Sequence, residues 1–321
     1  MHNDETNMPV LMNWVKRAYR FTLPERFRSR ANSRVERLKL ITFPKLDFKN
    51  CEMLLNFNFS LLRSHRKKGV SALLRIKNEA EKIGYCLKSI LGVFDEIILV
   101  DNGSEDETMD VVREVKKLED DRDQIKIYSY PFKVARCGEE HFNTPEDSVH
   151  NLAYFYNWGL SQCSYKYVCK WDGDMVLRKE SRSPFKRFLQ DIQKGKKKCW
   201  SLKGQTIYRD NKFNFYQAKE EINYQIMIFP NEHTTRFYKI DLYEALQSRP
   251  KRPTEIFKGI TFYELKYVTE DEFSHWSSKN FVTPRKVMEW GNYKLIKSGK
   301  IDDNVFKRLP IHFLDREIIH D

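Results

Sequence analysis

The apolar run "YKYVCKW" closes on two aspartates flanking a glycine, Asp172-Gly173-Asp174. Two carboxylates one residue apart at a strand end can share one hard divalent cation, and through it hold a diphosphate. Mg²⁺ or Mn²⁺ would suit such an all-oxygen site. Asp-Gly between apolar residues is also the strongest short signal for a hairpin turn. A second copy, Asp121-Arg122-Asp123, stands in the charged run "KKLEDDRDQ", so the triplet alone does not decide between the readings. Other carboxylates also follow apolar runs: Glu79, Asp101 and Asp106. No G-x-G-x-x-G follows a strand and no G-x-x-x-x-G-K-[ST] occurs, which argues against dinucleotide oxidoreductases and P-loop enzymes.

The elements that position these acids alternate. "VSALLRI" (70–76) reads as a buried strand, and "EAEKIGYCLKSIL" as a helix with one apolar face, Ile83, Leu87, Ile90 and Leu91. "DEIILVD" (95–101) is a second buried strand. Ser104 and Glu107 form a capping box for the next helix. "QIKIYSYPF" (124–132) gives a third strand, a helix is expected near 146–162, and "YKYVCKWDGD" gives the fourth strand. This order predicts a doubly wound, largely parallel α/β sheet, with ligands beyond the carboxyl ends of its strands. "SPFKRFLQDIQKG" reads as a helix, and 198–216 and 222–240 as antiparallel strands. The last 80 residues read as short strands mixed with helical pieces, among them "LKYVTEDEFSHW". The chain is expected to divide into a basic N-terminal extension (1–68), a nucleotide-sugar-binding half (69–180), an acceptor and catalytic-base half (181–285) and a C-terminal segment (286–321).

The stretch "ALLRIKNEAEKIGYCLKSILGVFDEIILVDNGSEDET" resembles the opening of the family 2 glycosyltransferases, which have the GT-A fold. The matching features are Asn78-Glu79, Cys86-Leu87-Lys88-Ser89 and Asp101 to Thr108, in that order and spacing. The resemblance covers about 70–180 well and 200–280 loosely. It implies an inverting, metal-dependent transfer of a sugar from a UDP- or GDP-sugar to a hydroxyl of a glycan or lipid-linked acceptor. Arg75, Asn78 and Glu79 would line the nucleotide pocket, and Asp101 would contact base or ribose. Asp174 would be the direct ligand of Mn²⁺ or Mg²⁺, with Asp172 nearer the ribose and metal-bound water. Asn157-Trp158-Gly159 matches the family's N-x-G. Lys133 and Arg136 are the basic candidates near the diphosphate. In Thr269-Glu270-Asp271, Asp271 would be the general base that deprotonates the acceptor, with Glu270 as the fallback. The blander reading of those acids is a helix N-terminus. A C-terminal histidine can join such a metal; His275 and His312 are candidates, as are Trp171, Trp276 and Trp290 for stacking on sugars, although structural roles explain such residues as well.

Composition sets the outer limits. The 321 residues, 40% hydrophobic, suit a folded chain with a sizeable core. No apolar run is long enough to span a membrane, and no secretory signal opens the chain. Six scattered cysteines without a Cys-x-x-Cys pair argue against zinc and disulfide scaffolds and suggest a cytoplasmic setting. The net charge of +12 is concentrated at the start, where a basic amphipathic segment could rest on an anionic membrane or pack on its own domain. No nucleic-acid module is present, so nucleic acid is not expected as a partner. Two other function classes fit less well. A sugar nucleotidyltransferase would want a Gly-rich loop after the first strand, and "RIKNEAEK" has none. A non-enzymatic basic binding protein would leave the acids solvated.

Overall fold

The computed structural model describes residues 47–55, 57–58, 66–248, 251–267 and 284–318. The chain divides into two compact units, Met1–Leu46 and Asp47–Asp321. Residues 47–55, 57–58 and 66–68, from the segment expected as an extension, thus belong to the larger unit. There, β1 (Asp47–Phe48) and β2 (Phe57–Asn58) pair antiparallel. The Asn50 amide donates to the Tyr154 hydroxyl at 3.0 Å, and the Cys51 N–H to the Asp147 carbonyl at 3.0 Å.

The α/β half follows the alternation of its apolar residues. β3 (Lys67–Ile76) sends Val70, Ala72, Leu74 and Ile76 into one core and Leu73 into another. β4 (Glu96–Asp101) does the same, Ile97 and Leu99 to one face and Ile98 and Val100 to the other. A sheet apolar on both faces must be covered on both. Helix α1 (Ala80–Ile90) presents Ile83, Cys86, Leu87 and Ile90 to the first core, joined by Val112 and Val115 of α2 (Thr108–Glu119). Each such side chain contributes about 1.5–3 kcal/mol when fully buried. The helix expected near 146–162 is α4 (Leu152–Gln162), and the loop before it holds a short helix, α3 (Glu139–Asn143). Asn151 caps α4, its Oδ1 accepting from the N–H groups of Ala153 and Tyr154. Gly159 explains the Asn-x-Gly locally: a Cβ there would meet Leu73 Cδ1 at 3.1 Å, so glycine lets α4 lie close on β3. Asn157 exchanges two hydrogen bonds with the Phe237 backbone.

β5 (Ile125–Ser129), β4, β3 and β6 (Tyr165–Asp172) form the parallel part in that spatial order. After the short β7 (Met175–Leu177) and α5 (Lys179–Asp191) come β8 (Cys199–Arg209) and β9 (Phe215–Pro230), antiparallel to each other as expected. β10 (Thr235–Ile240) and β11 (Tyr243–Ser248) form a separate hairpin. β12 (Thr254–Tyr267) is a 14-residue strand, so "LKY" is extended where a helical piece was expected. It is followed by α6 (Pro284–Lys297), β13 (Phe306–Leu309) and α7 (Phe313–Ile318). The large sheet runs β5-β4-β3-β6-β9-β8-β12-β7, with β13 added on β9. It is therefore mixed beyond β6, in keeping with a GT-A type α/β fold with an antiparallel second region.

The turn at Gly173-Asp174 is not a hairpin. β7 does not pair with β6; it pairs antiparallel with β12, at the far end of the strand order. Only two residues separate β6 from β7, so the sheet must curl until its β12–β7 end comes back to the carboxyl end of β6. That closure places residues 172–174 beside residues 264–266.

Candidate active site

The first wall of the site is laced by short polar side chains. Asn78 takes a left-handed backbone (φ 55°), which an asparagine tolerates better than most residues. Its N–H donates to Ser104 Oγ at 3.0 Å, and its Oδ1 accepts from the Glu105 N–H at 2.8 Å. The Glu79 N–H donates to Thr108 Oγ1 at 2.6 Å and the Ala80 N–H to Asp106 Oδ2 at 3.2 Å. Asp101 Oδ1 accepts from both the N–H (3.0 Å) and the hydroxyl (2.7 Å) of Ser104. The expected capping box is therefore not made, since Ser104 is turned to Asp101 and Asn78 and α2 starts only at Thr108. Much of "DNGSEDET" thus clamps the loop after β4 to the loop after β3. Glu79 itself is ion-paired with Lys82 at 2.8 Å.

The second wall is the aspartate turn. Gly173 lies against this loop: a Cβ on it would meet Ile76 Cγ2 at 3.0 Å and Glu79 Cγ at 3.3 Å. Its requirement is close approach, not a left-handed turn. Asp172 Oδ2 pairs with Lys170 Nζ at 3.0 Å and Oδ1 lies 3.6 Å from Arg75. The Arg75 guanidinium stacks 3.4 Å from the Tyr156 ring centroid and donates to the Tyr156 hydroxyl. Burial alone would push the Asp172 carboxyl up, but Lys170 and Arg75 outweigh it and hold it below its usual value.

The third wall comes from β9, β12 and α6. Lys266 Nζ lies 2.7 Å from Asp174 Oδ2 and 3.1 Å from Glu264 Oε1. Glu264 also takes Arg285 at 2.6 Å and the Asn223 amide at 2.6 Å. Gln225 then links Asn223 (3.2 Å) to Lys170 (3.5 Å). Burial opposes the charge on Glu264, yet Arg285 and Lys266 hold its carboxyl well below the usual range. Burial pushes Asp174 up, Lys266 opposing and Glu264 adding to it. Of the two acids sharing Lys266, Glu264 is the one that keeps its charge most readily.

The sheet thus gathers Arg75, Asn78, Glu79, Asp101, Asp172 and Asp174 at the carboxyl ends of β3, β4 and β6. Lys133 and Arg136 are exposed on the loop after β5. The cations against the aspartates are instead Lys170, Lys266 and Arg75. Lys170 is signalled in "KWD" by the two-residue period of a strand, and Lys266 by the charges at alternate positions of "YELKY". Glu270 and Asp271, with Thr269, His275 and Trp276, lie outside the described residues. His312 is exposed, 3.3 Å from Asp315. Trp171 is fully buried and donates to the Met175 carbonyl at 3.1 Å; Trp290 stacks on Tyr293.

Asp172 and Asp174 are hard oxygen donors of the kind Mg²⁺ or Mn²⁺ takes. Each is already paired with a protein cation, and among the described residues no three ligating side chains converge. The described side chains therefore do not fit a divalent ion as they stand.

Residues 71–137 match the profile of Glycosyl transferase family 2. The chain is similar to a poly-beta-1,6-N-acetyl-D-glucosamine synthase from Staphylococcus epidermidis, 29% identical over 147 residues, 44% of this chain and 30% of that one. It therefore spans under a third of that relative's length. Among solved structures it is similar to S. aureus TarS in complex with UDP-GlcNAc (15% identity, 66% of this chain and 62% of that one, TM-score 0.39). Another is the mannosyltransferase PcManGT from Pyrobaculum calidifontis with GDP-Man and Mn²⁺ (18% identity, 42% and 36%, TM-score 0.32). The profile match covers the β3-to-β5 part of the sheet, and over that part the chain is similar to the family 2 glycosyltransferases.

Proposed function

We propose that the protein transfers a sugar, with inversion, from a nucleoside-diphosphate sugar to a hydroxyl of a glycan or lipid-linked acceptor. The observation that carries this is the convergence of Arg75, Asp101, Asp172 and Asp174 with Lys170 and Lys266 at the carboxyl ends of parallel strands. Acids suit ribose hydroxyls there, and cations suit a diphosphate. The nucleotide would lie against Asp101 and the loop of Asn78 and Glu79, its ribose toward Asp172. The acceptor oxygen forms the new bond at the anomeric carbon, and the bond to the diphosphate oxygen breaks with its electron pair on that oxygen. Lysine and arginine side chains stabilise the charge developing there. The acceptor proton goes to Asp271, with Glu270 as second candidate. That assignment rests on the resemblance of Thr269-Glu270-Asp271 to the family's Thr-Glu-Asp motif.

A divalent ion at Asp172 and Asp174 is not required by this reading. The donor is a UDP- or GDP-sugar, and UDP-N-acetylglucosamine heads the panel because of the similar synthase. Thermal shift against that panel should single out one donor, since a ligand stabilises the state it binds. With that donor, Asp271→Asn should lose transfer by about 10²-fold or more while donor binding stays. A protein that no nucleotide sugar stabilises, or an Asp271→Asn variant as fast as wild type, overturns the corresponding part.

A further inference from the structure

We propose that Lys266 is the resident cation of the Asp172-Gly173-Asp174 turn, so that the protein binds its nucleoside diphosphate without a divalent ion. The inference rests on the glycosyltransferase reading above and concerns the ion that such a motif is expected to hold.

The geometry that carries it is fixed by backbone, not only by a long side chain. The Leu265 N–H donates to the Asp174 carbonyl at 2.8 Å, and Glu264 is in register with Met175, the residue after Asp174. Lys266 therefore starts from a strand position locked to the turn itself. Its ammonium sits between Asp174 (2.7 Å) and Glu264 (3.1 Å), and it is only 9% exposed. Asp174 is 7% exposed, so the pair is shielded from water and from salt. The other half of the turn is occupied in the same way, Asp172 by Lys170 and Arg75. Lys82 adds another cation beside Glu79.

A divalent ion entering here would have to displace ammonium groups from both carboxylates, while Arg285 already neutralises Glu264 on its far side. The charge it would bring to a diphosphate is present as lysine and arginine. A lysine ammonium is an established partner of phosphate oxygens. Asp174 then holds Lys266 in place, and Lys266 meets the diphosphate.

The test is calorimetric titration of UDP and of GDP into the full-length protein, in EDTA and in millimolar Mn²⁺. Wild type should bind the preferred nucleotide with affinities within about threefold in the two media. Lys266→Met should lose about tenfold or more in EDTA and regain part of it with Mn²⁺, because Asp174 is then open to the ion. Lys266→Arg should retain more EDTA binding than Lys266→Met. Adding Asp174→Asn to Lys266→Met removes both charges of the pair, so that variant should bind weakly in EDTA and gain nothing from Mn²⁺. Wild-type binding that appears only with Mn²⁺ would overturn the inference and leave the glycosyltransferase reading standing; this comparison needs no variant to fold. Unchanged EDTA binding in Lys266→Met also overturns it. Absence of UDP and GDP binding in either medium overturns both.

Discussion

Gly173 shows how tightly one residue joins the aspartate turn to the first loop of the site. A methyl group there would press on Ile76 at 3.0 Å and on Glu79 at 3.3 Å, while meeting Ile83 at an ordinary contact distance of 3.5 Å. Overpacking of a buried contact costs about 1–3 kcal/mol. Gly173→Ala should lower the urea midpoint accordingly, and it should weaken nucleotide binding because the Glu79 loop must move. Gly195 is the control. Nothing lies within 4 Å of the position its Cβ would take and its φ is −106°, so Gly195→Ala should be neutral or slightly stabilising. A Gly173→Ala protein as stable as Gly195→Ala would remove the packing argument. At this scale the sequence is informative about what is local. Asp101, Asp172 and Asp174 stand where short apolar runs end, and that much can be read from neighbours in the chain. Lys266 is different. Its partner Asp174 is 92 residues away, and the two meet only because β7 crosses to β12.

At the scale of elements, the α/β half was legible because each strand and helix carries its own period. The second half was less so. "ELKYVTED" has acids and a threonine that suit a helix start, yet its first residues continue β12, which has β8 on one side and β7 on the other. Non-local pairing overrode local preference. Residues 50–55, read as part of an extension, are equally hard to read locally, for nothing in their composition announces their contact with Tyr154 of α4. Their tie is Glu52, which accepts from the Ser148 hydroxyl and, at 3.1 Å, from the Val149 N–H. Desolvation works against the carboxylate, but these bonds outweigh it and hold Glu52 at about 2, below the ordinary 4.5. The folded-state value is depressed, so the stabilisation is complete above pH 4.5 and fades as pH falls toward 2. Glu52→Gln should flatten the acid limb of the stability curve in that window. Urea midpoints at about pH 6, above that window, and at about pH 3, inside it, should differ more for wild type than for Glu52→Gln; equal differences would show that Glu52 does not carry this tie.

For the whole molecule, the distribution of charge bears on where the acceptor of the proposed transfer would be met. Residues 1–46 hold ten Lys and Arg against four Asp and Glu, a large share of the net +12. Among the described residues no helix is long and apolar enough to cross a membrane. A basic segment with interleaved Trp14, Tyr19, Phe21 and Phe27 can still hold a protein at an anionic lipid surface, each Lys or Arg contributing about 1 kcal/mol near the headgroups. If the acceptor is lipid-linked, such contact would raise its local concentration at the site. Flotation with vesicles measures it directly. The full chain should float with vesicles rich in phosphatidylserine and remain behind with pure phosphatidylcholine. Because the attraction is electrostatic, it should weaken as salt shortens the screening length from about 8 Å at physiological strength to about 3 Å at 1 M. Residues 47–321, themselves one compact unit, should not float with either vesicle. If they float as well as the full chain, the lipid contact belongs to the catalytic unit, and the basic segment needs another explanation.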